Sequence, residues 1–185
     1  MTAGLVQVKL AEIVLVADTL CLDRVTGSAI AGAEKLFIHG GKAAIFSWGC
    51  GTADVQEKVR SLAASEVRPE ALARALRETF RDVSSPYSFG LYIAGFDDAK
   101  PSLWHVDVPT SEAGTQDRSL FPEPEMVAPA GTHETLYRWW FDAHKCMDPV
   151  NLGVGFVQQA HALAPSDVST DAKRIRVTTS GAEWV

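Results

Sequence analysis

The chain has 185 residues, of which 46% are hydrophobic and 22% are charged. These values predict one domain over residues 1–185 with a core of its own, and they exclude a disordered, collagen-like or disulfide-dependent chain. The formal net charge of -6 argues against a nucleic-acid partner, because neutralising phosphates requires a basic surface.

The sequence has no motif that indicates a metal site, a nucleotide cofactor or a membrane span. Three cysteines, Cys21, Cys50 and Cys146, lack CxxC spacing, so we expect no disulfide framework, no zinc site and a reducing cytoplasmic location. No histidine pair has metal-ligand spacing, and no GxGxxG or Walker-type loop supports a nucleotide cofactor. Polar residues from Gln7 onward interrupt the first apolar run, which predicts no cleaved signal and no membrane span.

The first part of the chain predicts a β-hairpin. Residues 4–10 and 13–17 are rich in β-formers and flank a short turn at Ala11-Glu12. The second run is apolar on both faces, which is typical of a central strand covered above and below. Asp18 follows this run, where a buried carboxylate would need a partner.

A loop and a second hairpin follow. Residues 19–33 contain Gly and Ser without clear periodicity and are interpreted mainly as a loop. Residues 35–39 and 42–48 predict two short strands around a tight turn at Gly40-Gly41.

Two helices are predicted next. Apolar residues recur at helical spacing after Ala53, so the first helix should begin near Thr52 or Asp54. Pro69 suits the first turn of the second helix, and the stretch before Pro86 should end it.

The rest of the chain predicts strands, then helices, then strands. Residues 88–95 and 102–108 predict a hairpin joined by a loop at 96–101, and residues 109–129 predict an irregular excursion. Helices are expected at 132–143 and 151–163, and a final hairpin at 174–178 and 182–185. Because helices come in blocks, two antiparallel sheets are favoured over a doubly wound parallel sheet.

Four stretches resemble the proteasome-type peptidases of the N-terminal nucleophile (Ntn) hydrolases. They are the run ending in Asp18, the run Glu34-Lys35-Leu36-Phe37, the run from Ala44 through Gly49 to Asp54, and the run from Leu91 to Asp107. The resemblance covers about the first 108 residues well, and the shared order and spacing of the motifs carry it. It implies an α+β fold, a four-layer αββα sandwich of two antiparallel sheets between helical layers.

The resemblance also implies a catalytic set. Thr2 would be the nucleophile and, through its own α-amine, the general base, once Met1 is removed. Lys35 would be the cation that activates the hydroxyl, and Asp18 its charge partner, sixteen positions beyond Thr2. Gly49 would donate its backbone N–H to the oxyanion.

Further positions follow from the same likeness. Asp167 and Thr170 would represent the Asp-x-x-Ser element of the family. Ala130 stands where the family has a Ser that supports the amine, which leaves Thr132 or His133 to substitute. Ser47 and Cys21 would line the specificity pocket.

The function implied is amide-bond hydrolysis of peptide or protein substrates inside a homo-oligomeric ring, with an ATP-dependent unfoldase as a candidate partner. Two alternatives remain open. The chain could be an inactive ring subunit or scaffold that retains Met1. It could also be an Ntn amidase that acts on a small molecule.

Overall fold

The computed structural model describes residues 2–23, 26–49, 52–62, 68–81, 89–108, 116–117, 125–127, 140, 143–144 and 146–185. The strands within these ranges are β1 Gly4–Val8, β2 Ile13–Asp18, β3 Leu36–His39, β4 Ala43–Gly49, β5 Phe89–Asp97, β6 Lys100–Val108, β7 Gln116–Asp117, β8 Glu125–Val127, β9 Ala172–Thr178 and β10 Gly181–Trp184. The helices are α1 Thr52–Ser61, α2 Pro69–Thr79 and α3 Pro149–Leu163.

The first sheet has the order β10-β9-β2-β1-β8, and every pairing is antiparallel. Its central strand β2 is buried along its whole length, as its continuous apolar run predicts. The hairpin of β1 and β2 is confirmed, but its turn is not at Ala11-Glu12. The N–H of Lys9 donates to the carbonyl of Glu12 at 2.8 Å, so the two turn residues are Leu10 and Ala11.

The second sheet has the order β3-β4-β5-β6-β7 and is also antiparallel. Gly40 and Gly41 have φ values of 56° and 67°, which suits the predicted tight turn between β3 and β4. The prediction of a loop at 96–101 is wrong, because β5 and β6 continue to a two-residue turn at Asp98 and Ala99. Both turn residues adopt positive φ, 47° and 65°, a conformation more typical of glycine.

Three apolar clusters hold these elements together. One lies between the second sheet and the helices α1 and α2, and another lies between the first sheet and α3. The third is shared by the two sheets and includes Leu15 and Ile175 from the first and Phe46 and Leu103 from the second. The prediction of two antiparallel sheets in a mixed α+β fold is therefore confirmed.

The predictions for residues 86–143 are only partly covered by the described residues. The expectation that 109–129 is wholly irregular is wrong where β7 and β8 pair with the sheet edges. The predicted helix at 132–143 and the stop before Pro86 lie largely or wholly outside the described residues. Trp140, which is described, is buried in the cluster under α3.

None of the helices in the described ranges combines the length and apolarity that crossing a membrane requires.

Gly153 controls how closely α3 approaches the first sheet. A Cβ at this position would lie 2.6 Å from Cβ of Val16 in β2, and both residues are buried. We expect Gly153→Ala to lower the free energy of unfolding by about 1–3 kcal/mol, because the clash outweighs the gain in helix propensity. Urea denaturation would measure this change. Gln158→Ala, at an exposed position of the same helix, is the control, and a stabilised Gly153→Ala protein would contradict the close packing.

Candidate functional site

A buried ion pair joins the two sheets at one end. Nζ of Lys35 lies 2.6 Å from Oδ1 of Asp18, and the two residues are only 3% and 1% exposed. Asp18 is the last residue of β2 in the first sheet, while Lys35 directly precedes β3 in the second. Because buried charges are costly unless paired, each residue requires the other where it lies.

The Asp18 carboxylate is held by backbone donors as well as by Lys35. The N–H of Ala3 donates to Oδ1 at 2.8 Å, and the N–H of Leu20 donates to Oδ2 at 3.1 Å. The N–H of Ser169 makes a longer contact of 3.4 Å with Oδ2. Both oxygens of the carboxylate therefore accept hydrogen bonds, as an ionised carboxylate requires.

The same contacts hold the amino-terminal segment against the ion pair. Ala3 is bound twice to Asp18, since its N–H donates to the carboxylate and its carbonyl accepts from the Asp18 N–H at 2.9 Å. Thr2 is thus fixed one residue away from this clamp and is 4% exposed. Its hydroxyl oxygen is buried and has no hydrogen-bond partner among the described residues. Leaving such a group unpaired usually costs about 1–3 kcal/mol, so its position calls for an explanation.

Strand β4 connects the predicted oxyanion donor to the ion pair. The N–H of Ser47 donates to the carbonyl of Lys35 at 2.7 Å, and Ser47 is buried. Gly49 ends β4 two residues later with a φ of 90°, in the region that favours glycine. Gly49 therefore belongs to the same end of the sheet as Lys35.

The stretch predicted for the Asp-x-x-Ser element, residues 167–170, lies against Asp18 through Ser169. Thr170 is exposed and Asp167 is half-buried, and neither makes a side-chain hydrogen bond with another described residue. Ser169, between them, contacts Asp18 through its N–H and accepts a hydrogen bond from the Thr19 hydroxyl at 3.2 Å. Neither Ser169 nor Thr19 is among the predicted site residues, and the only local signal is that Thr19 directly follows Asp18.

Other predicted positions are only partly described. Cys21 is buried, and its carbonyl accepts from the N–H of Ile30 at 2.8 Å. Ala130, Thr132 and His133, together with Cys50, lie outside the described residues. Within the described part of the chain, no group of three or more His, Cys, Asp or Glu side chains is placed to hold a metal ion.

A small cavity of about 20 Å³ lies beside the ion pair. It is lined by Ala17, Asp18, Thr19, Ala33, Glu34, Lys35, Leu36 and Lys173. A much larger open groove of about 730 Å³ lies elsewhere, between the start of α2 and the turn joining β5 and β6. Its lining includes Arg68 and Asp97 but none of the predicted catalytic residues.

The large groove has mixed charge. Partial burial raises the pKa of Asp97 above its usual value, while a hydrogen bond with Ser102 and the nearby Arg68 oppose that rise. Arg74 on the other side is already paired with Glu70 at 2.8 Å. Of the two, only the small cavity is lined by predicted catalytic residues, Asp18 and Lys35.

Comparisons with known proteins add no family assignment. Neither a scan against protein-family models nor a search of curated proteins finds a match to this chain.

Removing one partner of the ion pair should be costly. We expect Lys35→Met to lower the free energy of unfolding by about 3–5 kcal/mol, because Asp18 would remain buried without its counter-charge. The double variant with Asp18→Asn should be less destabilised than the sum of the two single variants. Denaturant unfolding of the single and double variants measures the coupling between the two residues.

Arg74→Met is the matched control, since it removes a cation from the exposed pair with Glu70. That change should cost no more than about 1 kcal/mol. Equal costs for Lys35→Met and Arg74→Met would contradict the special role of the buried pair.

Proposed function

We propose that this chain is an amino-terminal threonine hydrolase that cleaves amide bonds and uses Thr2 as its nucleophile. The observation that carries the proposal is the clamp between Ala3 and Asp18, which fixes Thr2 next to a buried carboxylate and ammonium. The hydroxyl of Thr2, which has no hydrogen-bond partner among the described residues, is open to a base, and in this proposal that base is the α-amine freed by loss of Met1.

We also propose the four-layer αββα arrangement of the Ntn hydrolases. Its support comes from the three apolar clusters, which lie between helices and sheet, between sheet and sheet, and between sheet and helix. This fold would bring the end of β2, the start of β3 and the end of β4 to one edge of the sandwich. Asp18, Lys35 and Gly49 occupy those three positions.

In the proposed reaction, loss of Met1 leaves Thr2 with a free α-amine, whose ordinary pKa of about 8 suits a general base. The amine takes the hydroxyl proton while Oγ1 attacks the carbonyl carbon of the substrate. The oxyanion that forms is stabilised by the N–H of Gly49. The ammonium of Lys35 favours the alkoxide character of Oγ1, and Asp18 holds Lys35 in place.

The tetrahedral intermediate then collapses to an ester, and water hydrolyses that ester. The protonated amine returns its proton to the departing amine of the substrate, the C–N bond breaks, and an ester joins the acyl group to Thr2. Water next attacks the ester carbonyl while the α-amine accepts a proton from it. The C–O bond breaks, the hydroxyl of Thr2 regains its proton, and the carboxylic acid leaves.

Within residues 167–170, Ser169 contacts Asp18 through its N–H. We propose that Ser169 acts where Asp167 and Thr170 were expected, because it bridges Asp18 and the Thr19 hydroxyl. A peptide or protein substrate, a homo-oligomeric ring, an ATP-dependent unfoldase partner and a cytoplasmic location remain predictions that derive from the resemblance.

One observation favours a second candidate, an inactive ring subunit or scaffold that keeps Met1. Thr2 is 4% exposed and its hydroxyl is buried, so a substrate carbonyl has no free path to it in the chain that carries Met1. In this alternative the Asp18–Lys35 pair would be a structural link between the sheets.

The decisive experiment compares chains that differ only at the amino terminus. A cleavable fusion that releases Thr2 as the first residue should give a protein that hydrolyses fluorogenic peptide amides. The same chain with one extra residue before Thr2 should be inactive, because its α-amine lies too far from the hydroxyl. We expect Thr2→Ala to lower kcat/KM by at least about 100-fold, and Thr2→Ser to retain activity, because it keeps a hydroxyl beside the amine.

Intact mass would establish the first residue of each preparation, and a panel of small amides would distinguish an amidase from a peptidase. An electrophilic peptide should add its mass to Thr2 only in the form that begins with Thr2. If that form is folded and neither hydrolyses amides nor reacts with the electrophile, the scaffold candidate replaces the hydrolase. Full activity in Thr2→Ala would also refute the mechanism.

A further inference from the structure

A second ion pair runs beside the buried one. Nζ of Lys173 lies 2.7 Å from Oε1 of Glu34. Glu34 directly precedes Lys35, and Lys173 in β9 lies opposite Ala17, the residue before Asp18. Both pairs therefore link the first sheet to the segment that precedes β3, and the charges are reversed between them. The first sheet supplies a carboxylate to one pair and an ammonium to the other.

The two pairs differ in their contact with solvent. The side chains of Glu34 and Lys173 are 31% and 47% exposed, while those of Asp18 and Lys35 are buried. All four residues line the cavity of about 20 Å³, which has room for about one water molecule. The outer pair therefore stands on the solvent side of the cavity, and the inner pair on the protein side.

Lys173 is held from two directions. Besides its contact with Glu34, its Nζ lies 5.6 Å from the ring centroid of Trp184, within the range of a cation–π interaction. Trp184 belongs to β10, which pairs with β9. A lysine fixed by both a carboxylate and an indole loses the freedom that most surface lysines keep.

The backbone around Lys35 needs such an anchor. The ladder of β3 begins at Leu36, so residues 31–35 lie outside it. The hydrogen bond from Ser47 fixes the carbonyl of Lys35 to β4, but it does not tie this segment to the first sheet. Two side chains of this segment reach the first sheet. Lys35 does so through Asp18, and Glu34 does so through Lys173, 139 residues away in the sequence.

We propose that Glu34 and Lys173 are a positioning pair, which keeps the ammonium of Lys35 against Asp18. The claim about Lys35 holds whether or not the chain is an enzyme. Its kinetic consequence rests on the proposed function. Since Lys35 would act on the Thr2 hydroxyl during bond formation, loss of the outer pair should lower kcat and leave KM unchanged.

The first test measures how easily Lys35 is modified. Folded protein is treated briefly with acetic anhydride, and acetylation of Lys35 is quantified by peptide mass spectrometry relative to the exposed Lys9. We expect Lys173→Met and Glu34→Gln to increase the modification of Lys35 about two- to five-fold, the factor that corresponds to losing an exposed ion pair. Arg74→Met, which removes the cation of an exposed pair elsewhere, should leave it unchanged.

Rescue separates the ion pair from a general loss of packing. Lys173→Arg should keep Lys35 protected, because it preserves the charge. The double variant Glu34→Lys with Lys173→Glu should recover protection relative to Glu34→Lys alone. Circular dichroism and thermal melting of each variant confirm that the labelled protein is folded.

The second test uses the form that begins with Thr2. Lys173→Met should lower kcat by the same two- to five-fold with KM unchanged, and Lys173→Arg should restore kcat. If Lys35 in folded Lys173→Met were acetylated to the same extent as Lys35 in the wild-type protein, the proposal would be overturned. Increased labelling in a chain that hydrolyses no amide would support the positioning pair and refute only the hydrolase.

Discussion

The contact between Asp18 and Lys35 is the constraint on which the site depends. Each residue ends or precedes a strand of a different sheet, and both are buried. A charge in such a place requires its partner at hydrogen-bonding distance, so the two sheets must meet in one register at this edge. The apolar cluster between the sheets supplies the attraction, while the ion pair specifies where the ends of β2 and β3 come together.

The amino terminus is ordered by the same carboxylate. First residues of a chain are usually mobile unless they are tied down. Here Ala3 exchanges two hydrogen bonds with Asp18, through its N–H and its carbonyl, and β1 begins one residue later. One carboxylate therefore fixes both a cation from the second sheet and the start of the chain. The Thr2 hydroxyl is positioned by this clamp, since it has no hydrogen-bond partner of its own among the described residues.

The sequence predicts the strands that depend on local pattern and misses contacts between distant residues. The apolar run of β2 and the pair Gly40-Gly41 carry their own signals, and both predictions are confirmed. The turn at Asp98 and Ala99 has no glycine, so its two-residue length was not evident within the loop predicted at 96–101. Ser169 reaches Asp18 across 151 positions, and Lys173 reaches Glu34 across 139, distances at which no periodicity gives information.

Two features that usually lower stability, a buried ion pair and a buried hydroxyl without a partner among the described residues, occur at the same end of the sheets. A buried ion pair is often no more stabilising than apolar residues of similar volume, and the sheets already share a large apolar cluster. One residue from the clamp, the buried Thr2 hydroxyl lies without a hydrogen-bond partner among the described residues. Either feature alone fits a structural link or a local imperfection of packing. Under the proposed hydrolase function the two features have one explanation, because the ammonium of Lys35 would act on the Thr2 hydroxyl and the α-amine of Thr2 would take its proton.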